Sequence, residues 1–398
     1  MQAPRFLHTL LTSSLPLVHA KRLQALLDTV GALLGERRLG LTALGRALPG
    51  PVDTKHTIKR VDRLLGNHHL HQERPLFYWL VASLLIGHMS RPLILVDWSP
   101  IDDRGQQFLL RAAVPFAGRS LPIFEKVHHK DGCQHCEAYL LAALAEILPD
   151  NATPILVTDA GFRNPWFQAV EARGWYYVGR VRSPTRCQVP GDTWRPVTAL
   201  FQQASSVPQS LGSVQIAESN PLTTRMVLYH RPPQGRKHRN KRGQVSQDGR
   251  SRAMAQRQKE PWVLVSNLPN RSTLADKLVT IYQQRMQIEE GFRDIKSPLF
   301  GLGFGMHQSR QGKRIEILLL IAMLANVAMM VAGLHVRDSG QQQRYQSNSI
   351  RDRNVLSVWR LGLEWLRRYP PCAVPWPSWK ALRASLREEV REQALCDG

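Results

Sequence analysis

Residues 281–296, IYQQRMQIEEGFRDIK, carry the densest chemical pattern in the chain. The spacing predicts one continuous helix, in which each residue advances by about 100°. Tyr282, Arg285, Glu289 and Lys296 then share an arc of roughly 60°, and Ile281, Ile288, Phe292 and Ile295 gather on a neighbouring face of similar width. One stripe is apolar and faces a core. The stripe beside it carries a carboxylate among two cations and a phenol. Glu290 points about 100° away from Glu289, so geometry selects Glu289 as the acid of this stripe. Taken alone, the pattern also fits a surface helix with an ordinary Arg285–Glu289 pair. The residues upstream decide between the two.

A chain of 398 residues can bury a sizeable core and divide into two or three domains. Hydrophobic content of 43% and charged content of 21% suit a soluble globular protein. The charge balance is unusual: 53 Lys+Arg against 31 Asp+Glu give +22, with a pI near 10.5. Such an excess calls for a polyanionic partner, nucleic acid before anionic membrane. The cysteines, Cys133, Cys136, Cys187, Cys372 and Cys396, are few and odd in number. They fit a reducing cytosol better than a secreted disulfide framework. Arg5 and Ala20 loosely mimic a signal peptide, but His8, Thr9, Ser13, Ser14 and Pro16 break the apolar run. Residues 317–334 are long enough for a marginal membrane span, yet they contain Asn326 and read as a buried core helix. A cytoplasmic, nucleoid-associated protein without a membrane partner is expected.

Along the chain, residues 1–70 read as helices. Leu23, Leu26, Leu27, Val30, Leu33 and Leu34 repeat at helical spacing up to Gly35. A short helix follows from Thr42, as N-cap, to Leu48, before Pro49-Gly50-Pro51. A third, from Thr54 or Thr57, turns Lys55, Lys59, Arg60 and Arg63 outward and Ile58, Val61, Leu64 and Leu65 inward. Short helices with a basic last member suit a helix-turn-helix DNA-binding module; a helical cap with a solvated basic face is the other reading. Residues 91–98, RPLILVDW, read as a buried strand delivering Asp97 to its edge. Two strand-like runs, 107–116 and 120–127, form a hairpin around Ala117-Gly118. An amphipathic helix at 137–148 precedes a strand at 154–158 that ends on Asp159. A helix at 165–173 and a strand at 175–181 follow.

From residue 183 to about 269 Gly, Pro and polar residues rise and strands shorten. The inner stretch holds Arg236, Lys237, Arg239, Lys241 and Arg242 and reads as a phosphate-seeking loop in a β-rich insertion; a merely solvated loop is the other reading. The remainder is helical: 281–296, 317–334, 355–368 and 379–396. The expected divisions are a helical DNA-end-binding domain (1–75), the first part of an α/β core (76–182), the insertion (183–270), the second part of the core (271–335) and a helical C-terminal region (336–398).

Two acids at strand ends and one on a later helix meet if the strands lie side by side and the helix packs over them. Three converging carboxylates repel one another unless divalent cations sit between them. Oxygen-only ligands favour Mg²⁺ or Mn²⁺. Two such ions about 4 Å apart serve phosphoryl transfer. Asp102, Asp103 and Glu125 are competing acids, the first two in a turn and the third mid-hairpin, where structural roles fit better.

Asp97 in LVDWS, Asp159 in VTDAGF, and Tyr282-x2-Arg285-x3-Glu289-x6-Lys296 resemble the DDE triad and YREK signature of bacterial cut-and-paste transposases of the IS-four family. The resemblance also runs through KHTIKRVDRLLGN, EPWVL, RMQIEE, FRD and RNVLS. It implies an RNase H-like core, a mixed five-stranded sheet with helices, interrupted by a β-rich insertion and flanked by helical regions. It implies that Asp97, Asp159 and Glu289 hold two Mg²⁺ ions, with Mn²⁺ as substitute. The implied reaction nicks one strand at the transposon end, forms and reopens a DNA hairpin, and joins the 3′-ends to target DNA. The implied partners are terminal inverted repeats, target DNA and a second copy in a paired-end homodimer.

Tyr282, Arg285 and Lys296 would grip phosphates near the terminal base, by a single hydrogen bond, a bidentate contact and a point charge. A flipped base needs a surface to stack on. Trp262 resembles the tryptophan that does this in a related transposase, and Met286 stands where a second apolar probe would; core roles are the alternative for both. His128, His129, Cys133, His135 and Cys136 crowd together but lack the second ligand pair of a zinc finger. Gly301-x-Gly303-x-Gly305 lacks the strand and spacing of a dinucleotide loop and reads as a turn. Two other readings stay open: a regulatory DNA-binding protein with an inactive core, and an RNase H-like nuclease that cuts without strand transfer.

Overall fold

The computed structural model describes residues 2–102, 105–132, 135–232, 249, 259–368 and 379–394. Ten strands and twelve α-helices among them make a mixed α/β fold. The chain divides into two units, Met1–Ala152 with Met286–Gly398, and Thr153–Arg285.

The first unit opens with five helices: α1 (Gln2–Ser14), α2 (Ala20–Glu36), α3 (Leu41–Ala47), α4 (Thr54–Leu65) and α5 (His68–Ile86). The leucine series of α2 is buried, as its spacing requires. Gly35 does not end this helix: α2 runs to Glu36, and Arg37 takes the left-handed cap with φ 60°, its N–H bonding Leu33 O. Thr42 is likewise inside α3, whose N-cap is Gly40. Gly45 lets α3 cross α4 closely, because a Cβ there would lie 2.5 Å from Ile58 Cα. The fifth helix is absent from the sequence reading. Asn67 starts it by accepting a hydrogen bond from Leu70 N at 2.9 Å.

Three antiparallel strands follow: β1 (Leu93–Pro100), β2 (Gln107–Phe116) and β3 (Arg119–His129). The tight β2–β3 turn puts Ala117 and Gly118 at positive φ, 49° and 73°. Asp97 does not end its strand. It is central in β1, opposite Arg111 of β2. Helix α6 (Cys136–Ile147) completes this part.

The second unit contains β4 (Ile155–Thr158), α7 (Asn164–Glu171), β5 (Tyr176–Val181), β6 (Arg186–Gln188), β7 (Arg195–Pro196), β8 (Gln209–Ile216), β9 (Leu222–Tyr229), β10 (Trp262–Ser266) and α8 (Leu274–Gln284). Strands β4 and β5 are parallel, and β10, β9, β8, β6 and β7 continue outward from β5 as antiparallel neighbours. Side chains stitch the junction: Tyr177 Oη lies 3.0 Å from Thr224 Oγ1, and Ser266 Oγ donates to Tyr177 O at 2.6 Å. The expected basic loop residues Arg236, Lys237, Arg239, Lys241 and Arg242 lie outside the described residues, as do Asp103, Cys133, Cys372 and Cys396.

The chain then returns to the first unit with α9 (Met286–Lys296), α10 (Gly312–Asp338), α11 (Val358–Arg368) and α12 (Trp379–Ala394). The single helix expected over 281–296 is therefore two helices. Arg285 N bonds Tyr282 O at 3.1 Å, a tightened turn, and the boundary between the units falls directly after it. Helix α10 is the one described helix long and apolar enough to cross a membrane, and that apolar window is wholly buried inside the fold. Its Asn326 is satisfied by Trp359 Nε1 of α11 at 2.9 Å. Gly333 and Gly362 bring these two helices into backbone contact: a Cβ at either would come within 1.8 Å of a carbonyl oxygen across the crossing.

Candidate active site

In the first unit, helix α9 lays Ile288, Gly291, Phe292 and Ile295 against the three strands. Gly291 makes that approach possible, because a Cβ would sit 2.9 Å from Ser120 Oγ. Gln287 Oε1 accepts from Phe116 N at 3.0 Å, and Asp294 pairs with Arg119 at 2.5 Å, so one face of α9 is pinned at two points, two turns apart, to the β2–β3 hairpin. Glu290 is spent on Arg293 at 2.8 Å, an i,i+3 surface pair. Glu289, on the other side, is half-buried.

Lys296 ends this helix over the Asp97 strand. Its Nζ donates to Ser99 Oγ at 2.6 Å and to Pro100 O at 2.5 Å. Burial, then the charge of Arg111, lower its pKa to about 8, with Asp97 acting in the opposite direction. Asp97 is buried, and its Oδ1 accepts the Trp98 N–H at 2.8 Å. Arg111, across from Asp97, is locked to Glu125 by two bonds of 2.8 and 2.6 Å, with both side chains 1% exposed. Tyr78 Oη gives Glu125 a third, at 2.8 Å. The Arg111 guanidinium also lies 4.3 Å from the Phe292 ring centre. Glu125 thus has a structural partner set, and Asp102 Oδ1 caps a turn by accepting from Gln106 N and Gln107 N.

In the second unit, Asp159 follows β4 directly. Its Oδ1 accepts Gly161 N at 2.8 Å, and a Cβ at Gly161 would lie 2.9 Å from the same oxygen. The Ala-Gly after this aspartate is therefore a seat for its carboxylate. Tyr282 is buried, with its ring edge-on to Trp262 at 4.8 Å and the Arg285 guanidinium 5.7 Å from its centre. Burial raises the Tyr282 pKa, opposed by Arg285 and Arg180, while Asp159 adds to the rise. Arg180 of β5 was not singled out from the sequence. It is buried, donates to Glu260 O and Pro261 O, and burial lowers its pKa to about 10. The signal was available: in Val-Gly-Arg-Val-Arg, strand alternation puts Arg180 and Arg182 on one face.

Trp262 was expected as a stacking surface, yet it is only 7% exposed, enclosed by Tyr229, Tyr282 and the Arg231 guanidinium. Met286 is 38% exposed. On α4, Lys55, Lys59, Arg60 and Arg63 all reach solvent; Lys55 lies 3.6 Å from Asp53, and Arg60 pairs with Asp28. Among the described residues no three His, Cys, Asp or Glu side chains gather as a metal cluster. Around His128, Cys136 is disulfide-bonded, which removes its thiolate as a zinc ligand, and His128 Nδ1 lies 3.0 Å from its sulfur. This disulfide departs from the reduced cysteines expected of the sequence.

Asp97, Glu289, Lys296 and Met286 belong to the first unit, and Asp159, Tyr282, Arg285 and Trp262 to the second. The charge of +22 favours a polyanionic partner, nucleic acid first. Residues 88–327, more than half the chain, match the transposase DDE domain family. The chain belongs to that family: it is a DDE-type transposase, a class that acts on DNA and generally uses divalent metal ions. No curated protein matches it.

Proposed function

We propose that this transposase binds the terminal inverted repeats of an insertion sequence and moves it by cut-and-paste. The reading places it in the IS-four group, near the transposase of the tetracycline-resistance transposon, with an RNase H-like core. Its support is the YREK spacing together with the LVDWS, DAGF and EPWVL stretches. The observation that carries it is the Lys296 anchor: the helix bearing Glu289 is tied to the strand bearing Asp97 through Ser99 and Pro100.

In this reading Asp97, Asp159 and Glu289 are the metal-holding acids. The donor set fits, being oxygen-only, with one oxygen of each aspartate oriented by a backbone N–H. Bound there, a pair of Mg²⁺ or Mn²⁺ ions supplies Lewis-acid chemistry for phosphoryl transfer. The chain's own residues do the rest. Lys296, Arg285 and Tyr282 hold phosphates at the transposon end, and the Arg111–Glu125 pair keeps β2 and β3 rigid beneath Asp97. Water attacks a phosphodiester and expels a 3′-oxygen. The freed 3′-hydroxyl attacks the opposite strand, water reopens the hairpin, and the 3′-ends join target DNA. Met286 and, once uncovered, Trp262 offer apolar surface to a flipped base. The basic faces of α4 and the 231–259 segment hold duplex backbone, and two copies pair the ends.

The test is cleavage of a labelled duplex carrying the element's own end, with Mg²⁺ and purified protein. A nick followed by a hairpin-sized product, both absent with Asp97→Ala, supports the reading. Metal-independent binding without cleavage by the wild type sinks it and favours a regulatory DNA-binding role.

A further inference from the structure

Just beyond α9 the chain turns sharply and holds two large apolar side chains outward: Leu299 is 75% exposed and Phe300 73%. The turn is braced. Phe300 N bonds Ser297 Oγ at 3.1 Å, Gly303 N bonds Ser297 O at 3.0 Å, and Leu302 N reaches back to Asp294 O at 2.8 Å. Gly301 is required for this return, since a Cβ there would lie 1.9 Å from Asp294 O. Such bracing keeps the pair from folding inward, where apolar surface ordinarily goes.

An independent feature abuts this tip. Arg37, the left-handed cap of α2, donates from Nη2 to Leu299 O at 3.1 Å, while its buried Nε has no partner. Burial lowers its pKa, and the charges of Arg360 and Arg367 lower it further. The acid acting on Arg37 is Glu364, which is already bound to Arg360 at 2.5 Å and lies 3.5 Å from Arg368. Arg37, Arg360 and Arg368 thus share one carboxylate, Arg367 adds a further positive charge acting on Arg37, and Arg37 itself bonds the backbone of the exposed tip. The occupant must bring negative charge and a flat apolar face together, as nucleic acid does. A second copy of this chain, itself at +22, brings the wrong charge.

We propose that the Leu299–Phe300 tip and the Arg37–Arg360–Arg367–Arg368 cluster form a DNA-docking surface, guanidiniums on the backbone and an unstacked base on Phe300. It rests on the DNA-acting reading and uses none of the candidate acids. Apolar side chains that wedge against base steps beside arginines are an established way to unstack DNA.

The probe is a short duplex of arbitrary sequence with one 2-aminopurine opposite an abasic site, added to the full chain. The wild type raises the probe's fluorescence on binding. Leu299→Ser/Phe300→Ser, exposed changes that leave the core intact, bind within about twofold of wild type but lose that rise. Arg367→Gln and Arg368→Gln keep the rise at saturation and each lower the slope of log K against log salt by about one. A wild-type fluorescence response in the double serine variant overturns the proposal, even while the wild type still cleaves its own transposon end. Loss of a dimer in sedimentation, with DNA signals unchanged, overturns it in favour of a protein partner. Failure of the wild type to bind any duplex removes this surface and the DNA-acting reading together.

Discussion

Arg111 donates from Nε and Nη2 to a single oxygen of Glu125, an ion pair sealed from solvent between neighbouring strands, with Arg111 directly across from Asp97. Its members cannot be removed one at a time without stranding a buried charge. Glu125→Leu is expected to cost about 3–5 kcal/mol of stability, and Arg111→Met with Glu125→Leu to recover most of it. Urea denaturation of the two variants checks this. Equal losses in the single and the double variant would show that packing volume, rather than charge, governs the site.

Gly161→Ala tests the seat of Asp159. The added methyl crowds Asp159 Oδ1, so the carboxylate must turn. Displacing an orienting contact of this kind typically costs about 10–100-fold in activity or metal affinity. Cleavage rates should fall by that factor while duplex affinity stays unchanged. Unaltered cleavage would remove Gly161 from the argument.

Lys296 sets a pH limit. Its pKa is lowered from the usual 10.5 to about 8, so the ammonium, proposed above to hold phosphate, dominates below pH 8 and is lost as pH rises through it. Second-order cleavage should decline above about pH 8, and Lys296→Arg, charged throughout, should flatten that limb. For stability the sign is opposite. Folding disfavours the charged form, so that penalty is present below pH 8 and disappears between about 8 and 10.5. A pH–rate profile of both proteins decides; coincident alkaline limbs would exclude Lys296 as the titrating group.

Glu289→Gln and Glu290→Gln differ by one position and should differ sharply in outcome. Glu289→Gln is expected to bind ends normally and to lose more than about 100-fold in nicking. Glu290→Gln loses only an exposed pair with Arg293, with a stability change below about 1 kcal/mol and normal nicking. Nicking assays on matched duplexes compare them directly. Full nicking by Glu289→Gln in Mg²⁺ would remove it from the acid set.

Much of this was legible because periodicity reports burial. The hairpin around Ala117-Gly118, the strand holding Asp97, the strand that Asp159 follows, and the buried helix around Asn326 are read from apolar runs and their breaks. Helix α5 was missed because His68–His71 has no apolar period and its second half is apolar all round. The break at Arg285 was missed because its residues are good helix formers; one tightened turn, with Arg285 N on Tyr282 O, separates the two helices there. The Arg111–Glu125 pair depends on strand register, which a single chain does not reveal. Trp262 was a matter of neighbours: only the fold shows that Tyr229 and Tyr282 enclose it.

The chain enters the second unit after Ala152 and leaves it at Arg285, cutting the YREK run between its second and third members. A gene cassette for residues 153–285 therefore exports Asp159, Trp262, Tyr282 and Arg285 as a set and leaves Asp97, Glu289 and Lys296 with the host chain. Exchange of that cassette between relatives would trade one half of the motif intact, so recombination can reassort what point mutation would have to rebuild residue by residue.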